Sequence, residues 1–206
     1  MKGLILAGGS GSRLYPLTET VNKQLLPVHD KPMIYYPLTT LIAAGISDIC
    51  IITNPAQLDQ FKNLLGNGER LGVNLHFRTQ KQPNGIPEAF IIAQDFIQDE
   101  DVALILGDNI FVDSGEIRSM VETFTCGAAV LGYQVVDPAR FGVIEFDVYR
   151  KPVKIVEKPE STNSKTVVPG LYVYDSGVCK KAKALKPSSR GELEITDLNN
   201  VYLGSG

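Results

Sequence analysis

Residues 2–32 read KGLILAGGSGSRLYPLTETVNKQLLPVHDKP, and the reading of this stretch organises the rest of the chain. It opens on a short apolar run, Gly3 to Ala7, bounded by glycines, which is the pattern of a buried strand. The run breaks into Gly8-Gly9-Ser10-Gly11-Ser12, and Arg13 follows at once. Glycines let a backbone turn sharply and bring its N–H groups close to a ligand. A row of such groups favours an anion, most often phosphate. Arg13 adds a planar fork of donors, and Lys23 a second, compact positive charge. The stretch therefore reads as a triphosphate cradle. It equally suits a tight strand-to-loop turn with no ligand. Two better-known cradles are excluded. The P-loop needs Lys-Ser or Lys-Thr after its last glycine, where Gly11-Ser12-Arg13 stands here. The dinucleotide fingerprint needs a third glycine or alanine, and Leu14 occupies that place, which also disfavours an oxidoreductase.

Outward from this stretch, strands and helices alternate. Met33–Gly45 looks helical, with Pro37 tolerable only in the first turn. Asp48–Thr53 reads as a strand, Gln57–Leu65 as a helix, Val73–Thr79 as a strand, and residues 87–97 as one helix. Val102–Leu106 (VALIL) is apolar throughout, as in a strand buried on both faces, and ends in Gly107-Asp108-Asn109. This alternation predicts an α/β fold with a mostly parallel, helix-covered sheet. Ligands bind at the carboxyl ends of such strands. Beyond Gly115 come a helix to about Thr125, a strand over 128–135, a hairpin of residues 142–149 and 153–157, a strand over 168–174, and two closing helices, 177–185 and 194–203.

Composition narrows the function. The 206 residues suffice for one sizeable domain, and 44% apolar content supports a large core. A net charge of −3 argues against general nucleic-acid binding, so cations must be concentrated locally if the ligand is a polyanion. No apolar stretch reaches the roughly 20 residues of a membrane helix. The N-terminal run is too short and glycine-rich for a signal peptide. Three scattered cysteines without metal-ligand spacing suggest a reduced, cytoplasmic protein, with Cys50 a buried small hydrophobe.

Asp108 is the best candidate metal ligand, since Mg²⁺ takes one or two carboxylates plus substrate phosphates; it could instead cap the next helix. His29, in a loop between prolines, and His76, within a strand, do not look catalytic. A missing general base is informative. A phosphate-monoester nucleophile needs none, because its second pKa is about 6. Catalysis then reduces to positioning and charge neutralisation by Arg13, Lys23 and a metal on Asp108. Glu157 could accept hydrogen bonds from sugar hydroxyls and Lys158 could contact a sugar phosphate, or the two could be a solvated pair at a strand end. Arg190, Glu192, Glu194 and Asp197 form a charge cluster that helix capping explains in part.

GLILAGGSGSRLYPLT followed by NKQLLPVHDKPMIYYPL resembles the sugar-nucleotide pyrophosphorylases. The likeness continues through QKQPNGIPEAF, LILGDNIF, RFGVIEF, EKP, VPGLYVYD and SSRGELEITDLN, covering nearly the whole chain. It implies a Rossmann-like open mixed sheet of the nucleotide-diphospho-sugar transferase type. One domain, 1–206, would hold a nucleotide-binding half (about 1–115) and a sugar-phosphate half (about 116–206). The implied activity is Mg²⁺-dependent transfer of a thymidylyl group from dTTP to glucose 1-phosphate, giving dTDP-glucose and pyrophosphate for carbohydrate biosynthesis. A relative preferring UTP, or a protein that binds nucleotide without turnover, are the alternatives. The resemblance places nucleotide on Leu6, Gly8, Gly9, Ser10, Gly11, Ser12 and Arg13, with Arg13 and Lys23 on the phosphates. It matches Gln80 to the thymine edge, Gly85 to a backbone contact with the base, and Asp108 to the first magnesium ligand. Gly142, Glu157, Lys158 and Val168 match the hexose-phosphate site. No nucleic acid or membrane partner is implied, and a homo-oligomer is. The family continues past this point into a strand bearing a second magnesium-binding aspartate, whereas this chain stops at Gly206. The expectation is weaker metal binding and slow turnover.

Overall fold

β1 (Lys2–Ala7) lies in the middle of a six-stranded sheet because every residue from Gly3 onward in it can face apolar surroundings. The structure is a computed structural model; it describes residues 1–9 and 11–205 and, at Arg13, the backbone alone. After β1 come a two-stranded ribbon, β2 (Pro27–Val28) and β3 (Lys31–Pro32), and helix α1 (Tyr35–Ala43), with Pro37 in its first turn. β4 (Asp48–Thr53), α2 (Leu58–Leu65) and β5 (Asn74–Thr79) follow. The helix expected over 87–97 is two pieces, α3 (Glu88–Ile92) and α4 (Gln94–Ile97), since Ala93 leaves helical geometry at φ −95°, ψ 14°. β6 (Val102–Leu106) and α5 (Gly115–Thr123) complete the first half.

The strands expected over 128–135 and 168–174 are each broken, and the second break leaves Val168 at the end of an additional strand that starts at Thr166. Residues 128–135 form β7 (Ala128–Val130) and β8 (Tyr133–Gln134), with the hairpin β9 (Gly142–Phe146) and β10 (Pro152–Glu157) after them. Residues 166–174 form β11 (Thr166–Val168) and β12 (Leu171–Tyr174), then α6 (Val178–Ala184) and α7 (Ile195–Leu203). Both breaks are crossings between sheets. β7 pairs with β12 in the large sheet, of order β5-β4-β1-β6-β12-β7. β8 pairs with β11 in a four-stranded antiparallel sheet, of order β10-β9-β11-β8. Pro169 donates no ladder bond, and a Cβ on Gly170 would lie 2.6 Å from Leu106 Cδ1, so the crossing hugs the end of β6.

β5, β4, β1 and β6 run parallel, and β12 and β7 add an antiparallel edge. Alternate residues feed two cores. Leu4, Ile52, Leu104 and Tyr172 pack with α3, α4, α6 and α7, while Ile5, Ile51, Ile105 and Val173 pack with α1, α2 and α5. This helix–sheet–helix arrangement is the predicted α/β fold with a mixed, mostly parallel sheet. Cys50 is fully buried in the first core, and burial pushes its thiol up to about 12, so it behaves as a small hydrophobe. No described helix is long and apolar enough to cross a membrane.

Candidate active site

The parallel strands bring three loops to one edge: the one after β1 carries the glycine run, the one after β5 starts with Gln80, and the one after β6 carries Asp108. The first loop is fixed by side chains. The Ala7 carbonyl accepts from Asn22 Nδ2 at 3.0 Å and from Thr53 Oγ1 at 3.1 Å. Buried Asn22 also accepts the Gln24 N–H at 2.8 Å and so caps the turn bearing Lys23. Thr18 Oγ1 donates to the Gly11 carbonyl at 2.9 Å. A cavity of about 240 Å³ results, lined by Gly9, Gly11, Ser12, Leu14, Lys23, Gln24 and Asp108. Leu6 and Gly8 stand behind it: the Leu6 carbonyl accepts the Gly107 N–H at 2.9 Å, and Gly8 lies against Gln80. Ser10 and the Arg13 side chain, both expected in the cradle, lie outside the described residues. Gln24 was missed from sequence; its Oε1 is buried at the cavity with no partner among the described residues.

Within the cavity Lys23 Nζ donates to Asp108 Oδ2 at 2.7 Å. Asn109 Nδ2 donates to Oδ1 at 3.2 Å, and Asn109 Oδ1 accepts the Gly170 N–H at 3.0 Å. Asp108 is therefore not a helix cap; α5 begins well beyond it, with Asp113 accepting the Gly115 N–H. Among the described residues no three His, Cys, Asp or Glu side chains form a metal cage. Asp108 is the carboxylate in the cavity wall, a donor set that fits Mg²⁺ sharing phosphate oxygens and water, and not a closed zinc site. His29 and His76 line neither this cavity nor the next; His76 packs on Phe96 with ring centroids 4.9 Å apart.

Gln80 is buried, and its amide orientation is set by neighbours. Nε2 donates to Glu88 Oε2 at 2.7 Å and, more weakly, to the Gly85 carbonyl at 3.3 Å, which leaves Oε1 beside Gly8. Gly85 has φ +105°, and a Cβ there would lie 2.0 Å from the Leu193 carbonyl oxygen. Leu193 N–H donates to the Asn84 carbonyl at 2.8 Å, so this loop is tied to the residues leading into α7.

A second cavity, of about 500 Å³, lies between the two sheets, and Asp108 lines it as well. Gly142, Glu157, Lys158 and Val168, the residues expected to hold a hexose phosphate, all line it. Asn109, Tyr172, Thr196 and Asn199 were not singled out from the sequence as site residues; they arrive from the loop after β6, from β12 and from α7. Burial pushes the Tyr172 phenol above its usual range. Lys158 Nζ stands 3.2 Å from Glu157 Oε1, and Arg190 Nη2 3.4 Å from the same atom. The charge cluster near α7 is an ion network, not a cap: Glu194 makes no capping bond, and takes Arg190 Nη2 at 2.6 Å and Ser188 Oγ at 2.6 Å. Burial pushes the Glu194 carboxyl up, but the bonds from Arg190 and Ser188 outweigh it and hold it below the ordinary range.

Known proteins resemble this chain along its whole length. Residues 2–206 match the nucleotidyl transferase family. The chain is 52% identical over 208 residues to the glucose-1-phosphate thymidylyltransferase of Neisseria meningitidis, covering the whole chain and 72% of that relative. It is 50% identical to the enzyme of the same name from Mycobacterium tuberculosis H37Rv, again covering the whole chain and 72% of the relative. A Bacillus anthracis chain assigned as a glucose-1-phosphate thymidylyltransferase, solved with sucrose, superposes with a TM-score of 0.93 at 48% identity over all of this chain and 84% of that one. A UDP-glucose pyrophosphorylase solved with UDP-glucose superposes at 0.85 with 25% identity, over all of this chain and 87% of that one. A glycine loop at the end of β1, an aspartate shared by two cavities and a match running from Lys2 to Gly206 make this chain a member of the nucleotidyl transferase family.

Proposed function

We propose that the chain transfers a thymidylyl group from dTTP to glucose 1-phosphate, releasing pyrophosphate and dTDP-glucose. The observation that carries this is Asp108 lining both cavities, so that a triphosphate in one and a sugar phosphate in the other meet at a single carboxylate. Residues 1–115 then serve the nucleotide and 116–206 the sugar phosphate, within one domain. The glycine loop, with Arg13 and Lys23, binds the triphosphate. Gln80 Oε1 accepts N3–H of thymine, while Gly85 supports the base through its backbone. Glu157 accepts from sugar hydroxyls, Lys158 neutralises the sugar phosphate, and Gly142 and Val168 shape the wall. A sugar-phosphate oxygen attacks the α-phosphorus in line; the new P–O bond forms as the bond to pyrophosphate breaks. No base is needed, since a phosphate monoester with second pKa about 6 is already largely ionised at neutral pH. Asp108, together with phosphate oxygens, would hold Mg²⁺, which would supply charge neutralisation. Free Cys50, Cys126 and Cys179 suit the reducing cytoplasm.

A pyrophosphate-release assay tests this, with dTTP, UTP or CTP and with glucose 1-phosphate present or omitted. Release that needs the sugar phosphate and is fastest with dTTP supports the reading. Faster release with UTP would move the assignment to a uridylyl transfer, and none with any triphosphate would overturn it.

A further inference from the structure

The Asp108 carboxylate is held from two unlike sides. Asn109 Nδ2 takes Oδ1, and Asn109 is itself pinned by the Gly170 N–H, so that contact is fixed. Lys23 takes Oδ2 at 2.7 Å with a cation on a flexible four-carbon stem. The two side chains of this pair are 28% and 33% exposed, so the pair is open to solvent on one side and not sealed in the core. Lys23 and Asp108 also line the same cavity, which puts phosphate oxygens within reach of the same ammonium.

We propose that in the nucleotide-free chain Lys23 stands in for the metal on Asp108, and that the triphosphate frees Oδ2 by drawing the ammonium onto its own oxygens. The inference rests on the reading of Asp108 and Lys23 given above. A divalent cation sits roughly 2.1 Å from a carboxylate oxygen, so one placed on Oδ2 beside the present ammonium would bring two positive centres within about 5 Å. The two cations therefore exclude each other at this oxygen. Nucleotide binding removes the competitor and also supplies new oxygens for the metal. Coupling between the two ligands is reciprocal, so the metal must in turn favour the lysine position that holds the triphosphate. Neutralising Lys23 then has opposite effects on the two ligands taken singly. The metal alone binds more tightly, because its competitor is gone. The nucleotide alone binds more weakly, because a phosphate partner is gone. A lysine that merely anchored phosphate would produce only the second effect.

The test is a titration with Mn²⁺ alone, reading free Mn²⁺ by electron paramagnetic resonance, on the wild-type chain and on Lys23→Met and Lys23→Gln. Each is also titrated with dTTP in the presence of chelator. Asp108→Asn, alone and combined with Lys23→Met, locates the metal, and circular dichroism establishes that each variant is folded. The expected result is Mn²⁺ binding ~5-fold or more tighter in both lysine variants, on the scale of a partly exposed ion pair with a cation removed. Weaker dTTP binding should accompany it, and Asp108→Asn should abolish the gain. Folded lysine variants with unchanged or weaker Mn²⁺ binding, in a protein whose Mn²⁺ site is lost in Asp108→Asn, would overturn the exchange and leave the metal assignment standing. Mn²⁺ binding that survives in the Asp108→Asn, Lys23→Met chain would remove the metal from Asp108, and both readings would fall together.

Discussion

Arg190 Nη2 stands 3.4 Å from Glu157 Oε1, joining the end of β10 to the start of α7. The same guanidinium is anchored by Glu194, through Nη2 at 2.6 Å and Nε at 3.1 Å. Arg190 therefore holds the Glu157 carboxylate in the wall of the second cavity without lining that cavity itself. Hydrogen bonds to charged groups contribute about 1.5–3 kcal/mol. Arg190→Gln should raise KM for glucose 1-phosphate by ~10-fold or more on that scale and leave KM for dTTP unchanged. Combined with Glu157→Gln, the losses should be less than additive. Steady-state kinetics with each substrate varied in turn check this; equal shifts in both KM values would contradict a positioning role.

On the proposed reading, base choice depends on Gln80 being held by Glu88. With Nε2 committed to Glu88 Oε2 at 2.7 Å, Oε1 is the free acceptor, which suits N3–H of thymine and opposes the acceptor N3 of cytosine. CTP should bind at least ~10-fold more weakly than dTTP, the scale of a mismatched polar contact. Glu88→Ala lets the amide turn over and should narrow that ratio. Equilibrium titrations of both nucleotides on both proteins measure it.

Two glycines with positive φ should respond differently to alanine. Gly45, at φ +82°, has nothing within 4 Å of its Cβ position, so Gly45→Ala should cost about 1 kcal/mol of backbone strain. Gly85→Ala meets the Leu193 backbone at 2.0 Å, an overlap that no rotamer relieves. It should cost about 3 kcal/mol or more, with weakened nucleotide binding as the Gln80 loop shifts. Urea unfolding midpoints of the two variants give the comparison.

Glu194 makes stability depend on acid. Its carboxyl lies below the ordinary 4.5 in the folded chain, so its contribution is present above that value and is lost as pH falls from it through the lowered folded value. Glu194→Gln should flatten this part of the acid limb. Asp48 and Asp95, held down chiefly by hydrogen bonds from Lys2 and Arg78, act in the same direction and should keep the remaining slope. Thermal melts from pH 6 to pH 3 on both proteins test the difference; identical profiles would show that Glu194 contributes no linkage.

The sequence by itself determined the parallel core and the edge at which the candidate site lies. Gly3–Ala7, Asp48–Thr53 and Val102–Leu106 are apolar on both faces, which only a helix-covered sheet can bury, and each became a strand of that sheet. Where such a strand ends in glycines or in Gly-Asp, the loop must lie at the ligand edge, so the glycine run and Asp108 were legible there. The tertiary structure alone decided that residues 128–135 and 166–174 each divide between two sheets. Periodicity records which face of a strand is buried, not which partner it pairs with; the second break sits where Gly170 packs against Leu106 and Asn109. The same limit hid the hold of Glu88 on Gln80, the bridge from Arg190 to Glu157, and the ammonium of Lys23 on Asp108. Each joins chemically suitable residues, but the chain offers many such pairs, and only long-range packing selects among them.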